Sequence, residues 1–171
     1  MIAIILTWKL LYDNSPQKLI PSGTSAIKLS SSIFKEGQPI PQKYSCDGEN
    51  INPPLSVSGV PAGTKSLALI IDDPDAATGD WTHWIVWNIS PETKEIKENN
   101  LPKGAVLGTN DGGKLEYGGP CPPSFIHHYY FKIFALNTVL DLAQGSSRPY
   151  LEEAMKDHII GKGSLVGTFS R

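Results

Sequence analysis

The sequence predicts a mainly-β domain, an antiparallel β-sandwich with one late helix. Three observations carry this. The chain has 16 glycines and 14 prolines in 171 residues, a density of turn formers that favours many short strands over long helices. Four segments have strand character, and only one has helical spacing with plausible ends.

In chain order, Met1–Leu11 is apolar but short and contains Lys9, and no basic stretch precedes it as in an export signal. Residues 13–26 (DNSPQKLIPSGTSA) are polar and turn-rich, so residues 1–26 are expected to be an extension or linker and the domain to run from Ile27 to Arg171. Pro39–Pro61 is rich in Pro, Gly, Asn and Ser and is expected to wrap irregularly over the surface, near a site. Ser66–Asp72 is an apolar run suited to a strand buried on both faces. Trp81–Ile89 and His127–Leu136 are aromatic and β-branched, as strands prefer. Ser147 caps the predicted helix, Pro149 occupies its first turn and Gly161 follows its end. Leu151, Ala154, Met155, His158 and Ile159 would share its apolar face. Gly163–Ser170 is the last expected strand.

Composition excludes several functions. The net charge is −2 with scattered Lys and Arg, so no basic stripe exists to bind duplex nucleic acid. No apolar run reaches the roughly 18 residues of a membrane span. The expected location is the cytoplasm, with an exported form as the alternative. Cys46 and Cys121 are too few for a disulfide scaffold, yet one bridge between them stays open.

Strand alternation singles out a group of polar residues. One face of Trp81–Ile89 would carry Trp81, His83, Ile85, Trp87 and Ile89. One face of His127–Leu136 would carry His127, Tyr129, Phe131, Ile133 and Ala135. Leu67, Leu69 and Ile71 lead on to Asp73. If these strand ends meet, Asp73, His83, His127 and Tyr129 line one concave patch. A lone strand-end histidine is more often structural, and Asp73-Pro74 is also an ordinary turn starter. Several buried polar groups in one place argue for a ligand, since leaving each unpaired costs about 1–3 kcal/mol.

Catalytic fingerprints are missing. GxSxG, HExxH, CxxC, the P-loop and GxGxxG do not occur. An EF-hand would need glycine where Thr78 stands. Two histidines with one aspartate make only a weak metal signal, and neither a metal nor a cofactor is expected. Cys121 with His127 as base would be a nucleophile pair, but the prolines of GGPCPP favour a pocket wall or half of a bridge.

At this point several motifs converge. The run DDPDA, then WTHWIVWNI, YGGPCPP and HHYYFKIFAL resembles the phosphatidylethanolamine-binding protein family, above all its bacterial and archaeal Raf-kinase-inhibitor-like branch. The likeness extends through YSCDGENINPPLSVSGVP, GTKSLALIIDDPD, LGTNDGGKLEYGGP and HIIGKGSLVGTFSR, from about Ile27 to Arg171. It implies a large antiparallel sheet packed on a smaller one, a C-terminal helix at the edge, and one pocket for phosphate-like anions, phospholipid head groups included. By motif, Asp73 and Asp75 are the acids of DPD, His83 belongs to the WxHW strand, Pro122 and Pro123 form the loop, and His127 and Tyr129 frame the second strand. His128 departs from the arginine usual beside the pocket histidine, and CPPSF lacks the glycine often found after the prolines.

The ligand-binding set expected is thus Asp73, Asp75, Trp81, His83, Gly119, Pro122, Pro123, His127 and Tyr129. The histidines would offer N–H groups, Tyr129 its O–H, and the Gly118–Gly119 turn its backbone N–H groups. Trp81 and Trp84 would add apolar walls. Asp73 would either orient an imidazole or, protonated, donate to the anion itself. With no evident nucleophile, the favoured reading is a binding or regulatory module rather than an enzyme. The alternatives are an acid–base hydrolase using Asp73 with His83 or His127, and a protein-interaction module inhibiting a kinase or protease. The resemblance alone supports the last, and it also points to a homodimer.

Overall fold

The computed structural model describes residues 24–171. The strands in chain order are β1 (Ser25–Ala26), β2 (Lys28–Ser30), β3 (Gln38–Pro39), β4 (Leu55–Ser58), β5 (Ser66–Asp73), β6 (Trp81–Ile89), β7 (Glu95–Ile96), β8 (Val106–Leu107), β9 (His127–Leu136) and β10 (Ile159–Phe169). Among the described residues one α-helix, α1 (Arg148–Met155), precedes β10, and a short 3-10 turn spans Gln42–Tyr44. Most of the expected extension lies outside the described residues, but β1 already belongs to a sheet ahead of Ile27.

A seven-stranded sheet runs in the order β1-β10-β9-β5-β6-β8, with β3 also on β10, and a three-stranded sheet runs β2-β4-β7. The pairings are antiparallel except β1 and β3, which lie parallel to β10. This is the expected mainly-β sandwich, large sheet on small. Its core lies between the sheets, where Leu29, Leu55, Val57 and Ile96 meet Leu69, Ile71, Phe131 and Ile133. Each such buried side chain contributes about 1.5–3 kcal/mol.

A second apolar cluster covers the other face of the large sheet, where Leu151 and Met155 of α1 pack with Ala68, Ile70, Ile85 and Trp87. The helix therefore lies on the sheet face rather than beside its edge. Every residue of β5 is buried, as its unbroken apolar run predicts, because it has a core on both sides.

Strict alternation fails in β6. Ile71 pairs with Trp84 but Asp72 pairs with Thr82, leaving His83 as an extra, bulged residue. Trp84 and Val86 consequently face the inter-sheet core, while Ile85 and Trp87 face the helix, the reverse of the expected assignment for the latter pair. A second shift at Asn88, whose φ is 55°, returns Ile89 to the inter-sheet core. In β9 the alternation holds along Tyr129, Phe131, Ile133 and Ala135.

Three other expectations need correction. The helix stops at Met155, because Ile159 joins the ladder opposite Leu136 and His158 bonds Asn137 through both backbone and ring. Pairing with β9 outweighs the helical spacing there, and the strand begins four residues before Gly163. Ser147 has the extended backbone of a cap, but its side chain makes no capping hydrogen bond. Within Pro39–Pro61, the alternating Leu55-Ser56-Val57-Ser58 forms a strand of the small sheet instead of irregular chain. No helix among the described residues is long and apolar enough to cross a membrane.

Candidate functional site

Topology explains why three polar strand ends meet. β5 lies between β9 and β6 and is antiparallel to both, so its last residue adjoins the first residues of its neighbours. Asp73 stands opposite Trp81, and the β6 bulge turns His83 to the same side. His127 and Tyr129 open β9 beside them. Together with Pro122, Pro123, Gly118 and Gly119, these residues line a cavity of about 440 Å³. Asp73, His83, His127 and Tyr129 are all buried.

The hydrogen bonds fix what each group offers. Nδ1 of His127 lies 2.7 Å from Oδ2 of Asp73, and the other Asp73 oxygen accepts the backbone N–H of Asp75 at 2.8 Å. Asp73 therefore holds a ring in place, the first of the two roles considered for it. Nδ1 of His83 lies 2.7 Å from the carbonyl of Gly118. A carbonyl can only accept, so this nitrogen carries the proton and Nε2 is left with a lone pair in the neutral ring. That Nε2 and the Tyr129 hydroxyl are buried without a hydrogen-bond partner. The hydroxyl is close to Asp73 and to the Cys121 backbone but makes no well-formed bond to either.

Burial dominates the electrostatics. It pushes His83 below the usual histidine range, against the Gly118 hydrogen bond and the Asp73 charge. It raises the Tyr129 hydroxyl, with the Asp73 carboxylate adding to the effect. At neutral pH the pocket floor thus offers a neutral His83 and a protonated phenol.

Several expected site residues have other duties. Asp75 does not line the cavity; its carboxylate accepts from His128, at 2.8 Å from the backbone N and 2.7 Å from Nδ1. That hydrogen bond holds the Asp75 carboxyl below the usual range. Trp81 lines the cavity, whereas Trp84 packs edge-on against Tyr117 in the core. The Gly118 N–H donates to the His83 carbonyl at 3.0 Å and the Gly119 N–H to Oδ1 of Asn50 at 2.7 Å, so neither is free for an anion. Gly119 is needed instead for packing, since a Cβ there would sit 2.3 Å from the Tyr44 carbonyl.

Other residues of the site escaped the sequence reading. Asn110 folds the loop that forms one wall, accepting from the Lys114 backbone at 3.0 Å and donating to the Glu116 carbonyl at 3.0 Å. The Asn-Asp-Gly-Gly run there is a turn signal that marks it. Asp72, the neighbour of Asp73, points to the opposite face. It is fully buried against Nζ of Lys132 at 2.5 Å and Nη2 of Arg148 at 2.9 Å, and burial still raises its pKa. Arg148 also meets Asp80 and Glu152, each at 2.9 Å, tying helix α1 to the underside of the site.

Cys46 and Cys121 form a disulfide, which closes the alternative left open by the sequence. Cys121 lines the cavity, so the bridge clamps the Pro120–Pro123 wall to the Tyr44–Asn50 segment. Among the described residues, no group of three or more His, Cys, Asp or Glu is arranged to hold a metal ion.

Comparison with known proteins agrees with this architecture. A family model described as phosphatidylethanolamine-binding protein matches residues 30–170. A UPF0098 protein of Methanothermobacter thermautotrophicus is 49% identical over 150 residues, covering 85% of this chain and 99% of its own. A UPF0098 protein of Aquifex aeolicus is 42% identical over 162 residues, covering 90% and 94%. Among solved structures, the phosphatidylethanolamine-binding protein homologue CT736 from Chlamydia trachomatis superposes with a TM-score of 0.82 at 44% identity, covering 86% of this chain and 99% of its own. Escherichia coli YbcL, described as a member of the mammalian family, gives 0.80 at 32% identity, covering 85% and 98%.

Proposed function

Because the chain belongs to the phosphatidylethanolamine-binding protein family, we propose that its pocket holds a small phosphate-type oxyanion, free or as a phosphorylated head group, and performs no reaction on it. The observation that carries this reading is the cluster of Asp73, His127, His83 and Tyr129 at the cavity floor, with two buried polar atoms left for a ligand to satisfy. The cavity is of the size that encloses a small molecule. Trp81, Pro122 and Pro123 give it apolar walls, which strengthen the polar contacts made beside them.

Absence of turnover is part of the proposal. The one cysteine on the wall, Cys121, is bound in a disulfide and offers no thiolate. A hydrolase would have to activate water through the Asp73–His127 pair or the bare Nε2 of His83. The regulatory side of the reading rests on the loop between the lining residues Pro123 and His127, where Phe125 is 84% and Ile126 62% exposed. Such an apolar rim suits a macromolecular partner that senses whether the pocket is filled.

Equilibrium dialysis with phosphoethanolamine, run beside p-nitrophenyl phosphate and p-nitrophenyl acetate assays, tests both halves. The expected result is saturable binding with no hydrolysis above the buffer rate. Hydrolysis that disappears in His127→Ala would establish the hydrolase instead.

A further inference from the structure

The pocket is poor in free donors, which is unusual in a site read as binding anions. The backbone N–H groups of Gly118 and Gly119 are both engaged. The Asn110 amide donates to the carbonyls of His83 and Glu116. Lys114, at the mouth, is two-thirds exposed and pairs with Glu116 at 3.2 Å. Nδ1 of His83 is turned to a carbonyl, and Nδ1 of His127 to a carboxylate. On the floor that leaves one hydroxyl to donate, that of Tyr129, the bare Nε2 of His83 to accept, and Nε2 of His127, whose ring Asp73 holds through Nδ1.

From this inventory we propose that the pocket selects oxyanions that bring their own acidic hydrogen, phosphate monoesters and inorganic phosphate, over oxyanions without one, phosphate diesters and sulfate. The inference rests on the oxyanion reading above and narrows it. In the complex, the P–OH of the ligand donates to Nε2 of His83, and the Tyr129 hydroxyl donates to an ionised oxygen of the same group. Both orphaned atoms are satisfied and neither histidine changes charge. An oxyanion without a hydrogen would set oxygen lone pairs against the Nε2 lone pair. Its contact with Nε2 of His83 is favourable only once that ring takes up a proton from solvent.

That uptake is disfavoured by burial and is governed by the groups around the ring. Asp73 and Asp111 favour the charged ring, and His127 opposes it. The Tyr129 ring meets His83 edge-on at 5.2 Å, and the Gly118 carbonyl holds Nδ1. Proton-free anions should therefore gain affinity as pH falls toward the depressed His83 pKa, by up to about tenfold per unit. Ligands with a P–OH lack this dependence as long as their monoanion is the species counted.

Calorimetry near neutral pH with four probes tests the inference: methyl phosphate, methylphosphonate, dimethyl phosphate and sulfate. Methyl phosphate as its monoanion and dimethyl phosphate carry the same charge and differ in the acidic hydrogen. Methylphosphonate controls for size. The first two probes are expected to bind at least about tenfold tighter than the last two. Tyr129→Phe should weaken all four and keep the ratio. His83→Gln, whose amide can turn its N–H to the ligand, should bring the ratio close to one. Equal binding of methyl and dimethyl phosphate by the unaltered protein would overturn this inference alone. Absence of binding by all four would overturn the oxyanion reading and this inference with it.

Discussion

Nδ1 of His127 and Oδ2 of Asp73 lie 2.7 Å apart although 54 residues separate them in sequence. The contact exists because β9 and β5 are neighbours and because Asp73 is the last residue of its strand. It presents Nε2 of His127 to the cavity, and it depends on a buried carboxylate.

Asp73→Asn keeps the shape of the side chain and removes its charge. The ring of His127 loses the partner that fixes its proton on Nδ1, and the buried contact weakens. The expected outcome is a loss of about 1–3 kcal/mol in urea unfolding, with oxyanion affinity reduced at least about tenfold in calorimetry. Unchanged affinity would remove Asp73 from the site.

The depressed pKa of His83 links stability to pH. In the unfolded chain the ring takes up a proton near pH 6.5, whereas the folded ring resists it to lower pH. The stability this gives is fully present above the unfolded value. It is lost as pH falls through the window down to the folded pKa. Urea denaturation at about pH 7.5 and about pH 5.5 should show a larger drop for the wild type than for His83→Gln. Equal drops in the two proteins would mean that His83 is not held neutral.

Much of this site is readable in the sequence, and the misreadings have local causes. β5 and β9 follow a period of two, so Asp73, His127 and Tyr129 fall where alternation puts them. In β6 a bulge inserts one residue at His83, so the same rule assigns Ile85 and Trp87 to the wrong face. Bulges depend on pairing with a neighbour and leave no mark in one strand alone. The backbone N–H groups of Gly118 and Gly119 were legible as donors but not as donors already engaged by His83 and Asn50. Helix α1 stops early for a related reason, since the pull of β9 on Ile159 is tertiary.

Asp72 carries a different kind of prediction. Its charge is completely buried, with Lys132 and Arg148 as its cationic partners. Arg148→Met strips one of these away and leaves the carboxylate short of compensation, at a cost of about 3 kcal/mol. Asp72→Asn removes the buried charge itself and leaves the cations near solvent, so its cost should be smaller. Chemical denaturation of the two variants compares them, and the reverse order would mean that the network does not offset the buried charge.

The disulfide spans 75 residues and restrains the unfolded chain by roughly 4 kcal/mol in the loop-entropy view. A Cys46→Ser, Cys121→Ser double variant should unfold at lower denaturant by an amount in that range. Because Cys121 is part of the pocket wall, oxyanion affinity should fall as well. Lost stability with unchanged affinity would confine the bridge to a structural role.

The central claim, that the Asp73–His127 pair and His83 form one oxyanion pocket, is tested most directly by histidine ring NMR. Long-range proton–nitrogen spectra would be recorded while inorganic phosphate is added to the intact protein. The expected result is a saturable shift of the Nε2 signals of His83 and His127 at the same midpoint, with His158, bound to Asn137 far from the cavity, unmoved. Unchanged His83 and His127 signals at millimolar phosphate would contradict the claim.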